Sequence, residues 1–100
     1  MRARTVQIRA ERIARKYIMS TFKVGRSAIK TRNRDNRAYS DKFDRYTRIY
    51  DFKFKKNGVW NYVEVKGNGS RYGGRQRDFD NDFVNRLGNN VYVVRVTGID

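Results

Sequence analysis

The alternation of apolar and polar residues is most regular in the middle of the chain, where it predicts a β-hairpin. Residues 50–55 and 59–66 each alternate aromatic or β-branched residues with polar ones. Between them, Asn57-Gly58 is typical of a tight hairpin turn. Because side chains two apart on a strand share a face, Phe52 and Phe54 are expected to enter the core together.

The same alternation gathers charge on the other face of this hairpin. Asp51 is out of phase with the two phenylalanines, and Glu64 and Lys66 share one face of the second strand. Paired carboxylates repel each other, and a divalent cation with a preference for oxygen ligands, such as Mg²⁺ or Mn²⁺, relieves the repulsion. The alternative is a solvated strand face that carries a simple Glu–Lys ion pair.

Residues 3–22 predict an amphipathic helix with a basic outer face. Apolar residues recur at helical spacing, namely Val6, Ala10, Ile13, Ala14, Tyr17 and Ile18. Glu11 is the only acidic residue among the first 34, and it lies near the buried edge of the helix. It could pair with Arg15 one turn later, or it could reach the charged cluster of the hairpin.

Between this helix and the hairpin, the sequence predicts one strand and a long polar segment. Residues 22–31 are interpreted as the first strand, with Arg26 and Lys30 flanking a phosphate path. The segment 31–46 has no clean period and is predicted to be a loop or a short helix. Its cations Arg32 and Arg34 suit contact with phosphate, although a solubilising surface would have the same composition.

A glycine-rich basic segment follows the hairpin. Residues 67–76 include four glycines with Arg71 and Arg75, and such a loop lets backbone amides approach phosphate. The spacing matches neither a nucleotide-binding P-loop nor a dinucleotide-binding fingerprint. The segment is therefore interpreted as a clamp on a nucleic-acid backbone.

The C-terminal part predicts a helix and a buried strand. Residues 75–87 place Gln76, Phe79 and Phe83 on one stripe, and Gly88 ends the helix. Gln76 could face the charged cluster or, alternatively, solvent. Three aspartates of this helix lack the spacing of a calcium loop and are interpreted as favourable charges near its N-terminus: Asp78, Asp80 and Asp82. The apolar run 91–96 predicts a buried strand, parallel to its neighbour through the helical crossover.

The predicted order of elements, α-β-loop-β-β-α-β, describes an α/β fold: a small mixed β-sheet flanked by helices. One hundred residues suffice for one domain with a modest core, which we place at residues 1–100. The fold class follows from the switch between strand and helix periods along the chain.

Composition narrows the function classes. The chain has 24 Lys and Arg against 10 Asp and Glu, a net charge of +14, which favours a polyanionic partner. It has no cysteine and no histidine, which excludes disulfides, zinc–thiolate sites and Ser-His-Asp triads. No apolar run is long enough to span a membrane, and the N-terminus is too polar for a signal peptide. We therefore expect an intracellular protein, in the cytoplasm or nucleoid, without a membrane partner.

The spacing of the charged residues resembles a nuclease motif. Asp51, followed thirteen residues later by Glu64-Val65-Lys66, is similar to the D…E-x-K core of the PD-(D/E)XK nuclease superfamily. Residues 63–96 resemble its VRR-NUC branch, in which E-x-K-G precedes a basic glycine-rich loop, a glutamine that opens a helix, and a valine-rich strand. Ala10-Glu11-Arg12 and Arg26-Ser27 are similar to motifs of archaeal-type Holliday junction resolvases. Tyr50 stands where the family name has proline.

This resemblance implies a restriction-endonuclease-like fold and a homodimeric, Mg²⁺- or Mn²⁺-dependent endonuclease that cleaves DNA, including branched DNA such as four-way junctions, and leaves a 5′-phosphate. It implies that Asp51, Glu64, the Val65 carbonyl and Glu11 hold the metal. Lys66 would act on water or on transition-state charge, assisted by Gln76 and Glu11. Together with the small size, the resemblance suggests a viral or mobile-element origin.

Two other functions remain open from the sequence. One is a non-catalytic, basic DNA- or RNA-binding protein in which E-x-K is a surface ion pair. The other is sequence-specific cleavage, as in restriction enzymes, which we rank lower because most basic residues suit contact with the nucleic-acid backbone.

Overall fold

The computed structural model describes residues 3–31, 36–43 and 48–99, with side chains described from Thr5 onward. Arg32 and Arg34, two predicted phosphate contacts, lie outside the described residues. The elements are helix α1 (Ala3–Phe22), a 3₁₀ turn (Arg26–Ala28), strands β1 (Lys30–Thr31), β2 (Arg37–Ala38), β3 (Arg48–Ile49), β4 (Phe52–Lys56) and β5 (Val59–Gly67), helix α2 (Gly74–Asn85) and strand β6 (Asn90–Val96).

The predicted α/β fold class is confirmed. A four-stranded mixed sheet has the order β1-β4-β5-β6, and a second small sheet pairs β2 with β3. β4 and β5 are antiparallel, whereas β5 and β6 are parallel and joined through α2. The predicted helical crossover and the parallel last strand are therefore present.

The central hairpin forms around the Asn57-Gly58 turn as predicted. Both turn residues have positive φ, 53° for Asn57 and 77° for Gly58, which is the conformation of a two-residue turn that matches the twist of its strands. Phe52 pairs with Val63 across the hairpin. Phe52 and Phe54 both lie in the core.

The prediction that the first hairpin strand begins at residue 50 is wrong. Arg48–Ile49 pairs with Arg37–Ala38 in the small sheet, and β4 begins at Phe52. The backbone N–H and C=O of Tyr50 bond the backbone and side chain of Asn36 and not β5. The chain therefore leaves the main sheet just before Phe52, which frees the backbone of β5 beyond this point for other partners.

Helix α1 packs against one face of the sheet. Ala10, Ala14 and Ile18 are fully buried and form one core with the apolar face of β4 and β5. A Cβ atom at Gly67 would lie 3.1 Å from the Cβ of Ala10. The glycine that ends E-x-K-G thus permits the close approach that brings the N-terminal half of α1 beside the charged cluster.

The prediction of a strand over residues 22–31 is wrong for most of its length. α1 continues to Phe22, and only Lys30–Thr31 pairs with β4. Phe22 packs its ring against Phe54 and Tyr92, at centroid distances of 5.0 and 5.1 Å. Phe22 is apolar because it packs into the core from the end of α1, and not because it belongs to a strand.

Helix α2 covers the other face of the sheet and ends as predicted near Gly88, which has φ of 73°. Phe79 and Phe83 form a second core with Tyr50 and Ala38. The predicted burial of the last strand is wrong, because β6 lies at the sheet edge: Tyr92 is 38% exposed, and Val96 is the buried residue of the strand. Among the described helices, none combines the length and apolar character that a membrane crossing requires.

Candidate active site

A cavity of about 420 Å³ opens beside the start of β4, where the chain enters the main sheet. Its lining comes from α1, from the strand ends around the hairpin and from the first turn of α2: Gln7, Ile8, Glu11, Arg48, Asp51, Glu64, Val65, Lys66 and Gln76. All five residues predicted to be catalytic line this one cavity. They converge from positions up to 65 residues apart in the sequence, because α1 and α2 meet the same end of β5.

Asp51 and Glu64 face each other across the hairpin. The register that pairs Phe52 with Val63 places Asp51 opposite Glu64 one step further along. Both are buried, with 1% and 4% of their surfaces exposed. The Asp51 carboxylate also accepts a hydrogen bond from the Val65 backbone N–H at 2.8 Å, which fixes its orientation.

Burial raises the pKa of Glu64 to about 8, reinforced by the hydrogen bond and the charge of Asp51. Arg48 and Lys66 oppose this shift but do not cancel it. In the metal-free protein at neutral pH, the two carboxyl groups therefore hold a proton between them. A site that retains a proton at this pH is one that a divalent cation can occupy by displacing it.

Lys66 and Gln76 are in direct contact, since Lys66 Nζ donates to Gln76 Oε1 at 3.2 Å. Of the two orientations considered for Gln76, the structure has the one that faces the cluster. Gln76 lies in the first turn of α2, half-buried, so it restrains the lysine from the far side of the cavity.

Arg48 is a site residue that the sequence did not reveal. It is 4% exposed, forms an ion pair with Glu64, and bonds both carboxylate oxygens of Asp80 at 3.2 and 3.3 Å. Tyr50 and Tyr72 donate their hydroxyls to the same Asp80. Burial alone would lower the pKa of Arg48, but the bond to Asp80 and the charge of Glu64 outweigh it and leave this pKa raised.

The interpretation of the α2 aspartates as charges near a helix N-terminus is wrong for two of the three. Asp80 and Asp82 are buried, 3% and 8% exposed, and they bond side chains from the segment before the hairpin. Ser40 donates to Asp82 at 2.5 Å, and Arg86 donates to it at 2.8 Å. The i,i+4 spacing of Asp82 and Arg86 was the signal available in the sequence.

Gln7 is a second residue that the sequence analysis missed. Its side-chain amide donates to the Val65 carbonyl at 3.2 Å. A carbonyl oxygen has two lone pairs, so Val65 can still offer one to another partner. The available signal was the i,i+4 spacing of Gln7 and Glu11, which puts both at the cavity end of α1.

The donors in this cavity fit a hard divalent cation. Asp51, Glu64 and the Val65 carbonyl supply oxygen atoms only, the ligand type of Mg²⁺ and Mn²⁺. In the described ranges, no group of three or more His, Cys, Asp or Glu side chains could hold a metal ion. Asp51, Glu64 and the Val65 carbonyl as metal ligands stay a prediction, and so does the role of Glu11 in the metal shell.

The predicted phosphate contacts that the structure describes lie outside the lining of the cavity. Arg26, Lys30, Arg71 and Arg75 are exposed and do not line it. The glycine-rich loop that carries Arg71 is tied to α2 by the bond from Tyr72 to Asp80. Whether these cations touch nucleic acid stays a prediction.

We expect the metal-free protein to lose stability as the pH rises from about 4.5 to about 8. The pKa of Glu64 is about 8 in the folded chain and close to 4.5 when unfolded. The folded state therefore binds the Glu64 proton more tightly, and its contribution is complete below pH 4.5 and lost as pH approaches 8. The expected slope is up to about 1.4 kcal/mol per pH unit.

Urea unfolding in EDTA at pH 5, 6, 7 and 8 measures this effect. Glu64→Gln should remove the slope and be the more stable protein at pH 8. Asp78, an exposed carboxylate on α2, provides the control, and Asp78→Asn should keep the wild-type slope. An unchanged slope in Glu64→Gln would show that Glu64 is ionised throughout this pH range.

Comparisons with protein-family models, with curated protein sequences and with solved structures find no match to this chain.

Proposed function

We propose that this protein is a Mg²⁺- or Mn²⁺-dependent endodeoxyribonuclease that hydrolyses DNA phosphodiesters. The observation that carries the proposal is the single cavity in which two buried, proton-sharing carboxylates adjoin a lysine held by a glutamine. Burial of such a cluster costs free energy, and buried charged clusters of this kind are common at catalytic sites. The net charge of +14 supplies the attraction for a polyanionic substrate.

The order of elements in the fold is compatible with the one that the resemblance to PD-(D/E)XK nucleases implies. The main sheet and its two helices follow the chain order α-β-β-β-α-β, with Asp51 immediately before β4 and Glu64 and Lys66 on β5. The motif residues therefore meet at one sheet end although thirteen positions separate the acids. A surface Glu–Lys pair would not require burial of both carboxylates.

In this proposal, Asp51, Glu64 and the Val65 carbonyl would hold the cation. A bound Mg²⁺ or Mn²⁺ would supply Lewis-acid stabilisation of charge on the phosphoryl oxygens. Gln7 fixes the Val65 carbonyl, and the Val65 N–H fixes Asp51, so the ligand atoms are oriented before any ion binds.

Lys66 would stabilise the negative charge that develops on the phosphoryl group or position the attacking water. Gln76 accepts a bond from the ammonium and restricts its position, which lowers the ordering cost during the reaction. Water adds to phosphorus, the bond to the 3′ oxygen breaks, and that oxygen takes a proton from solvent. The products are a 3′-hydroxyl and a 5′-phosphate.

We propose a homodimer as the active form and branched DNA as its substrate. The edge strand β6 has no partner strand on its outer side within the described sheet. Beside it, a groove contains the exposed side chains of Ile13 and Tyr17 next to Val93 and Val94. Two copies joined along this edge would present two cavities to a two-fold symmetric junction. The intracellular location stays a prediction.

The test is cleavage of end-labelled four-way junction, flap, linear duplex and single-stranded DNA with Mg²⁺ or Mn²⁺. The wild type should cut the junction in symmetric pairs, and Lys66→Ala should lose this activity. Lys56→Ala, a lysine at the hairpin turn outside the cavity, is the matched control and should cut normally. Unpaired nicks would contradict the dimer, and lysine-dependent cleavage of flaps or linear DNA would replace the substrate.

The second candidate is a non-catalytic, basic nucleic-acid-binding protein. It is favoured by the ion pair from Arg48, which already gives Glu64 a cationic partner without any metal. Salt-sensitive binding is expected of both candidates and does not separate them. Binding without lysine-dependent cleavage, with both metals and all four substrates, would establish this second function.

A further inference from the structure

Three neighbouring cavities lie in series along α1, beginning with the candidate active site, and we call this series the path. The active-site cavity shares Ile8, Glu11 and Asp51 with a second cavity of about 260 Å³. The second cavity shares Arg12 and Arg15 with a third of similar volume. Each cavity therefore shares part of its lining with the next.

The character of the lining changes from acidic to basic along this path. Three carboxylates and two cations line the active-site cavity, and two carboxylates with Arg12 and Arg15 line the middle one. The described lining of the third cavity consists of four cations and one methionine: Arg12, Arg15, Lys16, Arg26 and Met19. The helical members recur at spacings of three and four, so they follow one face of α1.

These cations are not neutralised within the described part of the chain. No ion pair there joins Arg12, Arg15, Lys16 or Arg26 to a carboxylate. Four like charges around one depression repel one another, and a polyanion bound between them relieves the repulsion. By contrast, Arg48 and Arg86 are paired with acids of the fold and have structural partners.

We propose that this path, lined by Arg12, Arg15, Lys16 and Arg26, binds the phosphate backbone of the DNA strand that is cut. The proposal rests on the proposed function, because the active-site cavity defines one end of the path. From Glu11 to Met19 the helix rises about 12 Å. Measured along the helix axis of B-DNA, this length spans about three to four nucleotides of one strand.

The residues of the path also determine which part of the DNA it recognises. Its cations contact phosphates and not base edges, so it positions the strand without reading sequence. It extends from the cavity on the α1 side, so the contacted phosphates lie on one side of the cleaved bond. The glycine-rich loop lies toward α2 and is available for the other side.

The test measures binding without cleavage, using fluorescein-labelled four-way junction DNA in EDTA. In a titration of affinity against NaCl, Arg12→Gln/Arg15→Gln should lower the slope of log K against log salt by about 2, since each phosphate contact contributes roughly 0.9. Lys42→Gln/Lys55→Gln removes two exposed charges elsewhere and should change the slope by less than half as much. Equal changes in the two double variants would overturn the path.

A second measurement locates the contact. Methylphosphonates, which lack the phosphate charge, are placed singly within about four nucleotides of the mapped cut. Replacement at the contacted phosphates should weaken wild-type binding several-fold and have no further effect in Arg12→Gln/Arg15→Gln, as a double-mutant cycle requires. Independent, additive effects at every position would also overturn the proposal.

These results separate the path from the proposed function. Cleavage that depends on Lys66, without coupling between the arginines and any phosphate, refutes the path and leaves the nuclease. If the junction is never cut, methylphosphonates are scanned through each of its arms. Coupling found in that scan supports the phosphate-binding path. In that outcome the nuclease proposal fails, and the path binds phosphates of a strand that is not cleaved.

Discussion

Asp51→Asn should lower metal-dependent DNA cleavage by on the order of a thousandfold or more. Asp51 supplies one of two carboxylates in the proposed ligand set, and the stabilisation that a cation gives to phosphoryl charge is worth several kcal/mol. Each 1.4 kcal/mol corresponds to about a tenfold change in rate. The substitution is nearly isosteric, and the amide oxygen of the new side chain can still accept the Val65 N–H that Asp51 accepts now.

The same variant should fold and should not be less stable than the wild type without metal. Removing one of two facing buried carboxylates relieves the interaction that raises the pKa of Glu64. Single-turnover cleavage at saturating Mg²⁺ and urea unfolding in EDTA measure the two effects separately. Asp41→Asn is the control, because Asp41 is an exposed acid that pairs with Arg86 far from the cavity lining.

A rate within tenfold of wild type in Asp51→Asn would show that the paired carboxylates do not hold a catalytic cation. Lost cleavage with lost stability would instead point to a structural role for the Asp51 charge. The prediction requires both low activity and retained folding. This combination is what a costly, function-bearing charge pair produces.

The hairpin and α1 were predictable because local patterns decide them. Asn57-Gly58 demands a left-handed backbone, and strict alternation fixes which side chains enter the core. These two rules also place Asp51 opposite Glu64, so the centre of the site follows from the sequence. The stripe of Ala10, Ala14 and Ile18 fixes the buried face of α1 in the same way.

The rest depended on long-range contacts that a local pattern does not encode. Tyr50 has the spacing of a strand residue, yet its backbone is bonded to Asn36. Arg48 reads as one cation among many, but burial between Glu64 and Asp80 distinguishes it from the others. β6 has the composition of a central strand, although it occupies the edge of the sheet.

The second large effect concerns stability: Arg48→Met should destabilise the metal-free protein by about 3–5 kcal/mol. A buried ion pair contributes little net free energy, but removal of one partner leaves the other charge buried and uncompensated. Here one substitution leaves two acids, Glu64 and Asp80, without their cation. The two tyrosine hydroxyls still satisfy Asp80 in part, and Glu64 holds its proton more tightly, because the Arg48 charge that lowers its pKa is gone.

Urea unfolding of Arg48→Met and Arg86→Met separates burial from mere pairing. Both arginines pair with two acids, but the Arg86 side chain is 43% exposed, so its loss should cost clearly less than the loss of Arg48. Adding Asp80→Asn to Arg48→Met should recover part of the loss, because it removes one uncompensated charge. Two outcomes would contradict this prediction: equal losses of stability in Arg48→Met and Arg86→Met, or no recovery of stability on adding Asp80→Asn. Either would mean that the acids beside Arg48 carry no charge for it to compensate, so that Arg48 stabilises the protein through packing alone. In that case Glu64 would meet an incoming cation without first giving up an ionic partner, and the balance between Arg48 and metal at this carboxylate would not govern metal affinity.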